Sequence, residues 1–198
     1  MIDLDFDLTL TGFSLAEVDF TLDAARDRDP DAPAGSEDFI PPVGGPAVTR
    51  TGDIWALGRH RLICGDARNS EDYARLLAGE QAALIFTDPP YNVPIDGHVS
   101  GLGRVRHREF AMGVGEMSRE AFTTFLETAL SAMAGVCRDG AIAFVCMDWR
   151  HMGELLTAGE TAFSELKNLC VWNKTNGGMG SFYRSKHELV FVFKKGTA

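Results

Sequence analysis

No stretch of eighteen apolar residues occurs in this 198-residue chain, so nothing in it reads as a membrane-spanning helix, and no apolar signal-peptide core stands near its start. Cysteine is scarce. Cys64, Cys137, Cys146 and Cys170 show no C-x-x-C pairing, and three of them fall within apolar, strand-like runs. That excludes a disulfide framework and points to buried free thiols in a reducing, cytoplasmic setting. Histidine and cysteine never cluster at metal-ligand spacing, so no metal is expected. A basic excess is missing too, the net charge being −9. Its placement matters more than its size: residues 1–49 hold 11 Asp/Glu against 2 Arg, which accounts for the whole imbalance and leaves residues 50–198 neutral. The acidity therefore belongs to a leader and is no argument against nucleic acid as a partner.

The chain is long enough for one core-bearing domain, and no internal repeat is present. Residues 1–22 form a short acidic segment in which Ser14 suits the start of a helix, and residues 23–47, dense in Asp, Pro, Ala and Gly, read as a solvated linker. From about residue 53 strand and helix alternate. Arg61 to Cys64 is a strand that stops at Gly65, and Ser70 caps a helix ending at Gly79. Leu84-Ile85-Phe86 is a buried strand, and Ser118 caps a helix whose Phe122, Leu126, Ala129, Leu130 and Met133 recur at helical spacing. Ala141 to Met147 is apolar enough for a strand covered on both faces. Residues 150–166 read as short helical pieces broken near Gly159. Two further strands, Leu169–Trp172 and Glu188–Phe193, flank a glycine-rich loop. The alternation predicts a three-layer α/β sheet over residues 48–198.

The most informative residues are Asp88-Pro89-Pro90-Tyr91. Two prolines end the strand at once because neither can donate to a ladder. A carboxylate, a rigid turn and an aromatic ring are thereby placed at the carboxyl end of a strand, where open α/β sheets bind their ligands. The arrangement suits an exocyclic amine on a nucleobase, whose lone pair is delocalised into the ring. Asp88 and the Pro89 carbonyl, each accepting one amine hydrogen, would draw the nitrogen toward tetrahedral geometry, while the ring of Tyr91 stacks on a base swung out of the duplex.

This motif resembles that of the amino-group DNA methyltransferases, which act on adenine N6 or cytosine N4. The resemblance runs over roughly residues 48–196. It includes Trp55-x-Leu57-Gly58-x-His60-Arg61-Leu62-Ile63-Cys64-Gly65-Asp66, then Asp139-Gly140, Val171-Trp172-Asn173-Lys174-Thr175-Asn176, and Phe182-Tyr183-Arg184-Ser185-Lys186-His187-Glu188. The late motifs match the permuted (β-type) enzymes, and residues 1–22 resemble the tail of a ParB-like domain fused in front of some of them. The resemblance implies a Rossmann-like methyltransferase sheet, S-adenosylmethionine as cofactor and double-stranded DNA as partner. It implies Asp88, Pro89, Pro90 and Tyr91 as the catalytic set, with Asp66 and Asp88 beside the cofactor. Asp at the first motif position favours adenine over cytosine. Asn92, the basic loop residues Arg104, Arg106 and Arg108, and Lys174, Asn176, Arg184 and His187 are the expected nucleic-acid contacts.

One expected part is missing from the sequence. The Phe-x-Gly-x-Gly cradle for the cofactor is absent, and in the permuted order it would follow the last motif. The sheet is therefore expected to be incomplete, lacking its cofactor-motif strands and target-recognition region. Such a chain would be inactive alone and would associate with itself or with the half that covers its open sheet edge. The competing readings are a DNA-binding or partition-associated remnant without catalysis, and a methyltransferase acting on RNA or on a protein amide.

Overall fold

A computed structural model describes residues 46–94, 111–174 and 186–197. The expectations for residues 1–45, and for Arg104, Arg106, Arg108, Asn176 and Arg184, lie outside the described residues. Apart from residues 46–47, the described part belongs to one compact unit that begins at Val48.

A hairpin of β1 (Ile54–Leu57) and β2 (His60–Ile63) comes first, followed by α1 (Ser70–Leu77) and β3 (Ala82–Thr87). Then follow α2 (Arg119–Gly135), β4 (Cys137–Met147), α3 (Met152–Ala162), β5 (Glu165–Asn173) and β6 (His187–Lys194). The four later strands form one mixed sheet in the order β3-β4-β6-β5. β3 runs parallel to β4, and β6 runs antiparallel to both its neighbours, so β3, β4 and β5 all end at the same edge. That edge carries Asp88.

One face of the sheet is packed under α2 and α3. Ala143, Val145 and Met147 of β4 alternate inward with Leu189, Phe191 and Phe193 of β6, and they meet Phe122, Leu126, Leu130 and Leu155 of the helices. The period of two on the strands and the spacing of three and four on the helices produce this layer. Each fully buried Phe or Leu contributes about 1.5–3 kcal/mol. Ser118 caps α2 as expected, its hydroxyl accepting from the Ala121 N–H at 3.2 Å, with Glu120 in the first turn.

Several expectations are corrected. α3 passes through Gly159 unbroken, because the glycine sits under a ring: a Cβ there would lie 2.1 Å from Phe193 Cζ. The cap of α1 is Asn69, which accepts from the Glu71 N–H at 3.0 Å, and Ser70 is the first helical residue. β4 starts at Cys137, four residues before the apolar run, because the Asp139–Gly140 turn region continues the strand. Cys137 and Cys146 are buried, but Cys64, just past β2, and Cys170, on β5 whose residues are all exposed, are not. The helices on the described sheet cover one face only. On the opposite face Leu84 and Phe86 of the edge strand β3 are 57% and 68% exposed, and Phe86 stacks on Phe144 at 6.4 Å. Among the described residues no helix is long and apolar enough to cross a membrane.

Candidate active site at the carboxyl edge of the sheet

The turn after β3 is bolted to the loop before α2. Asn92 adopts a left-handed backbone (φ 53°), which asparagine tolerates better than most residues. It is buried, with its side-chain oxygen accepting from the N–H groups of Gly115 (3.1 Å) and Met117 (3.2 Å) and its amide donating to the Met117 carbonyl (3.0 Å). Glu116 secures the same loop by accepting from the Gly113 and Val114 N–H groups at 2.7 and 2.6 Å. Gly113 has φ 72° and lies against Pro90, so a Cβ there would come within 2.7 Å of the proline ring. The motif places Asn92 among the nucleic-acid contacts. Its side chain bonds the loop and so fixes the Pro89–Pro90 turn, the other part its position beside Tyr91 suggests.

Asp88 and Tyr91 face each other across that turn. The Tyr91 hydroxyl donates to Asp88 Oδ1 at 2.6 Å. Burial first, then this bond and the nearby carboxylates, push the Tyr91 hydroxyl well above its ordinary pKa. Cys146, on β4, belongs to the same group: its thiol is pushed up by burial, then by the charges of Asp88 and Glu188, with Lys174 opposing. Glu188, opposite Trp172 in the β5–β6 ladder, forms an ion pair with Lys174 Nζ. Asp88, Tyr91, Cys146, Lys174 and Glu188 thus gather at one edge. The sequence motifs contain Lys174 and Glu188 but do not reveal their pairing, because it depends on the antiparallel register of two strands. His187 stands exposed at the start of β6, paired with Asn173.

Asp66 lies beyond β2, before α1. Its carboxylate is gripped by the Arg68 guanidinium in a two-toothed bond, Nε to Oδ1 at 3.0 Å and Nη2 to Oδ2 at 2.6 Å. These side-chain bonds, with one from the Arg68 backbone, hold its pKa down at about 2. Arg68 also lies 5.5 Å from the centre of the Phe125 ring. The two residues border an open hollow of about 430 Å³ that is walled further by Asn69, Met117, Thr124 and Thr128. A carboxylate acceptor, an aromatic face and hydroxyls are the groups that hold a nucleoside, and the volume lies within the range of small-molecule sites. In this structure Arg68 itself occupies both the acceptor and the ring.

Family comparison covers the part of the chain that carries this edge. Residues 82–198, from the start of β3 onward, match the model of the DNA methylase family. The chain belongs to that family. Residues 1–51 match the ParB-methyltransferase HTH domain, a match that takes in both the acidic segment and residues 23–47. This DNA methylase chain resembles solved structures more distantly. One is a DNA modification methylase from Thermus thermophilus, TTHA0409, at 17% identity, 68% of this chain, 52% of the other and a TM-score of 0.41. The same protein complexed with S-adenosyl-L-methionine gives 19% identity, the same coverage and a TM-score of 0.40. The M1.HpyAVI–SAM complex gives 16% identity, 65% of this chain, 49% of the other and a TM-score of 0.41. The chain thus spans about half the length of these structures. Among curated proteins there is no match.

Proposed function

We propose that the carboxyl edge of this sheet is the catalytic side of an S-adenosylmethionine-dependent DNA amino-methyltransferase, directed to adenine N6. The observation that carries the proposal is the fixed pairing of Asp88 with Tyr91 at the end of β3, in a chain of the DNA methylase family. The target base enters this edge extruded from the duplex and stacks on the Tyr91 ring. Its amine donates one hydrogen to Asp88 Oδ2 and the other to the Pro89 carbonyl. Tyr91, by holding Oδ1, keeps the carboxylate from rotating away. Localising the nitrogen lone pair is a transition-state effect, so it acts on turnover more than on affinity. Asp88 is also the nearest acceptor for the proton the amine sheds once methylated.

Bound S-adenosylmethionine would supply the electrophilic methyl group. Asp66, Phe125 and the threonines of the hollow suit its adenosine end, once Arg68 yields its place. Lys174, which lies over Trp172 and pairs with Glu188, and His187 would contact DNA at the same edge. The uncovered face of β3, with Leu84 and Phe86, supports a further partner: a second copy, or a segment carrying more of the sheet.

Purified intact gene product, radiolabelled S-adenosylmethionine and duplex DNA provide the test, with the product nucleosides separated. Label in N6-methyladenine supports the proposal. Label in N4-methylcytosine would move the target base, and label only in RNA or protein would overturn it.

A further inference from the structure

The carboxyl edge carries two exposed tryptophans that methyl transfer itself does not use. Trp149, two residues past β4, is 50% exposed, with the Arg150 guanidinium 4.9 Å from its ring centre. Trp172, at the end of β5, is 56% exposed, with Lys174 Nζ 5.5 Å from its ring centre. Both distances lie within the reach of a cation–π contact.

Neither ring is on a loose loop. Asp148 braces the Trp149 turn by accepting from the His151 N–H (3.0 Å) and from Arg150 Nη1 (3.2 Å), and it lies 3.0 Å from His151 Nδ1. The His151 ring packs edge-on against Phe122 at 5.2 Å. Trp172 stands within a paired strand, and just past it the Lys174 N–H donates to the Lys186 carbonyl at 2.7 Å. Rings held in this way give up little conformational freedom when a ligand stacks on them.

Register places them near the reacting group. Met147 and Val171 both pair with Leu189, so the end of β4 is level with Val171 and β5 runs two residues further, to Asn173. Thr87 pairs with Val145, which sets Asp88 beside Cys146. At strand spacings of about 4.8 Å and a rise of about 3.3 Å per residue, the Trp149 backbone lies roughly 11 Å from that of Asp88. The same arithmetic puts Trp172 roughly 10 Å from Trp149. Extruding a base leaves its neighbours partly unstacked, and aromatic platforms beside a cationic groove are how proteins hold such bases.

We propose that Trp149 and Trp172 form a stacking rim for DNA, taking bases left unstacked when the target nucleotide is drawn toward Asp88. The inference rests on the DNA-methyltransferase reading and adds to it a site for the flanking nucleotides. Arg150 and Lys174 are each already tied to a carboxylate, Asp148 and Glu188. Within the rim they hold the rings in place, and the rings carry the stacking contact. Loss of a ring should therefore weaken binding without changing its salt dependence.

The test measures anisotropy of a labelled duplex with a mismatched adenine, over a salt series, for the intact protein and for Trp149→Ala, Trp149→Phe and Trp172→Ala. Each alanine variant should bind roughly five- to one-hundredfold more weakly with an unchanged salt slope, the phenylalanine variant much less so. A Trp149→Ala protein that binds within twofold of the parent would overturn the rim while leaving the methyltransferase reading intact. A parent that binds no DNA would overturn both. Iodide quenching of Trp149 in a Trp55→Phe, Trp172→Phe protein decides the matter if an alanine variant fails to fold. Shielding of Trp149 by DNA supports the rim, and unchanged quenching overturns it.

Discussion

Replacing Tyr91 by phenylalanine separates two jobs that one residue performs. The hydroxyl donates to Asp88 Oδ1 at 2.6 Å, a short bond to a charged acceptor. Such bonds contribute about 1.5–3 kcal/mol. The ring, which the phenylalanine keeps, contributes a further stacking term of about 1–3 kcal/mol per base. Losing the hydroxyl frees the Asp88 carboxylate to rotate, and misalignment costing about 1.5 kcal/mol in the transition state slows turnover roughly tenfold. Affinity for DNA should change little. Tyr91→Ala loses ring and hydroxyl together, so it should lose both turnover and base retention. Single-turnover methylation and 2-aminopurine fluorescence at the target position read the two effects separately. Turnover of Tyr91→Phe within twofold of the parent would refute the role given to the hydroxyl, and loss of base retention equal to that of Tyr91→Ala would refute the stacking.

Three further outcomes are expected. Gly159→Ala should destabilise the fold by about 1–3 kcal/mol in denaturant unfolding, because the new methyl meets the Phe193 ring at 2.1 Å inside the packed face. A thiol reagent at neutral pH should label the exposed Cys64 and Cys170 quickly and reach Cys137 and Cys146, whose thiols burial pushes up, only on unfolding, as mass spectrometry will show. Arg68→Ala should lower stability by less than about 1 kcal/mol, since its pair with Asp66 is exposed. Because the Asp66 pKa is depressed from 3.8 to about 2, that difference is present above about pH 4 and should vanish as pH falls through 2, which thermal melts across acid pH will check.

Much of the fold was legible wherever a local pattern decides it. α2 announced itself through Ser118 and the spacing of Phe122, Leu126 and Met133, and the end of β3 through two consecutive prolines. Misreadings arose where a distant residue decides the outcome. Gly159 reads as a helix break in isolation, but it is the space Phe193 needs from another strand. Asn92 is legible as a residue of the catalytic turn, but not its partners, which are loop residues more than twenty positions later. Asp66 stood out as an acceptor, and its neighbour Arg68 gave no local sign that it would turn back onto it. The pairing of Lys174 with Glu188 required knowing that β5 and β6 are antiparallel neighbours in one register. The bond from Tyr91 to Asp88 depends on the shape of the proline turn, which residue types alone do not reveal.

The most direct test of the central claim is the single-turnover rate of methyl transfer to DNA by the intact gene product carrying Asp88→Asn or Asp88→Ala. Asparagine keeps the size and one acceptor but removes the charge that draws on the amine. The account predicts a loss of about a hundredfold or more in both variants, with DNA affinity close to that of the parent. A rate within threefold of the parent in both would contradict it.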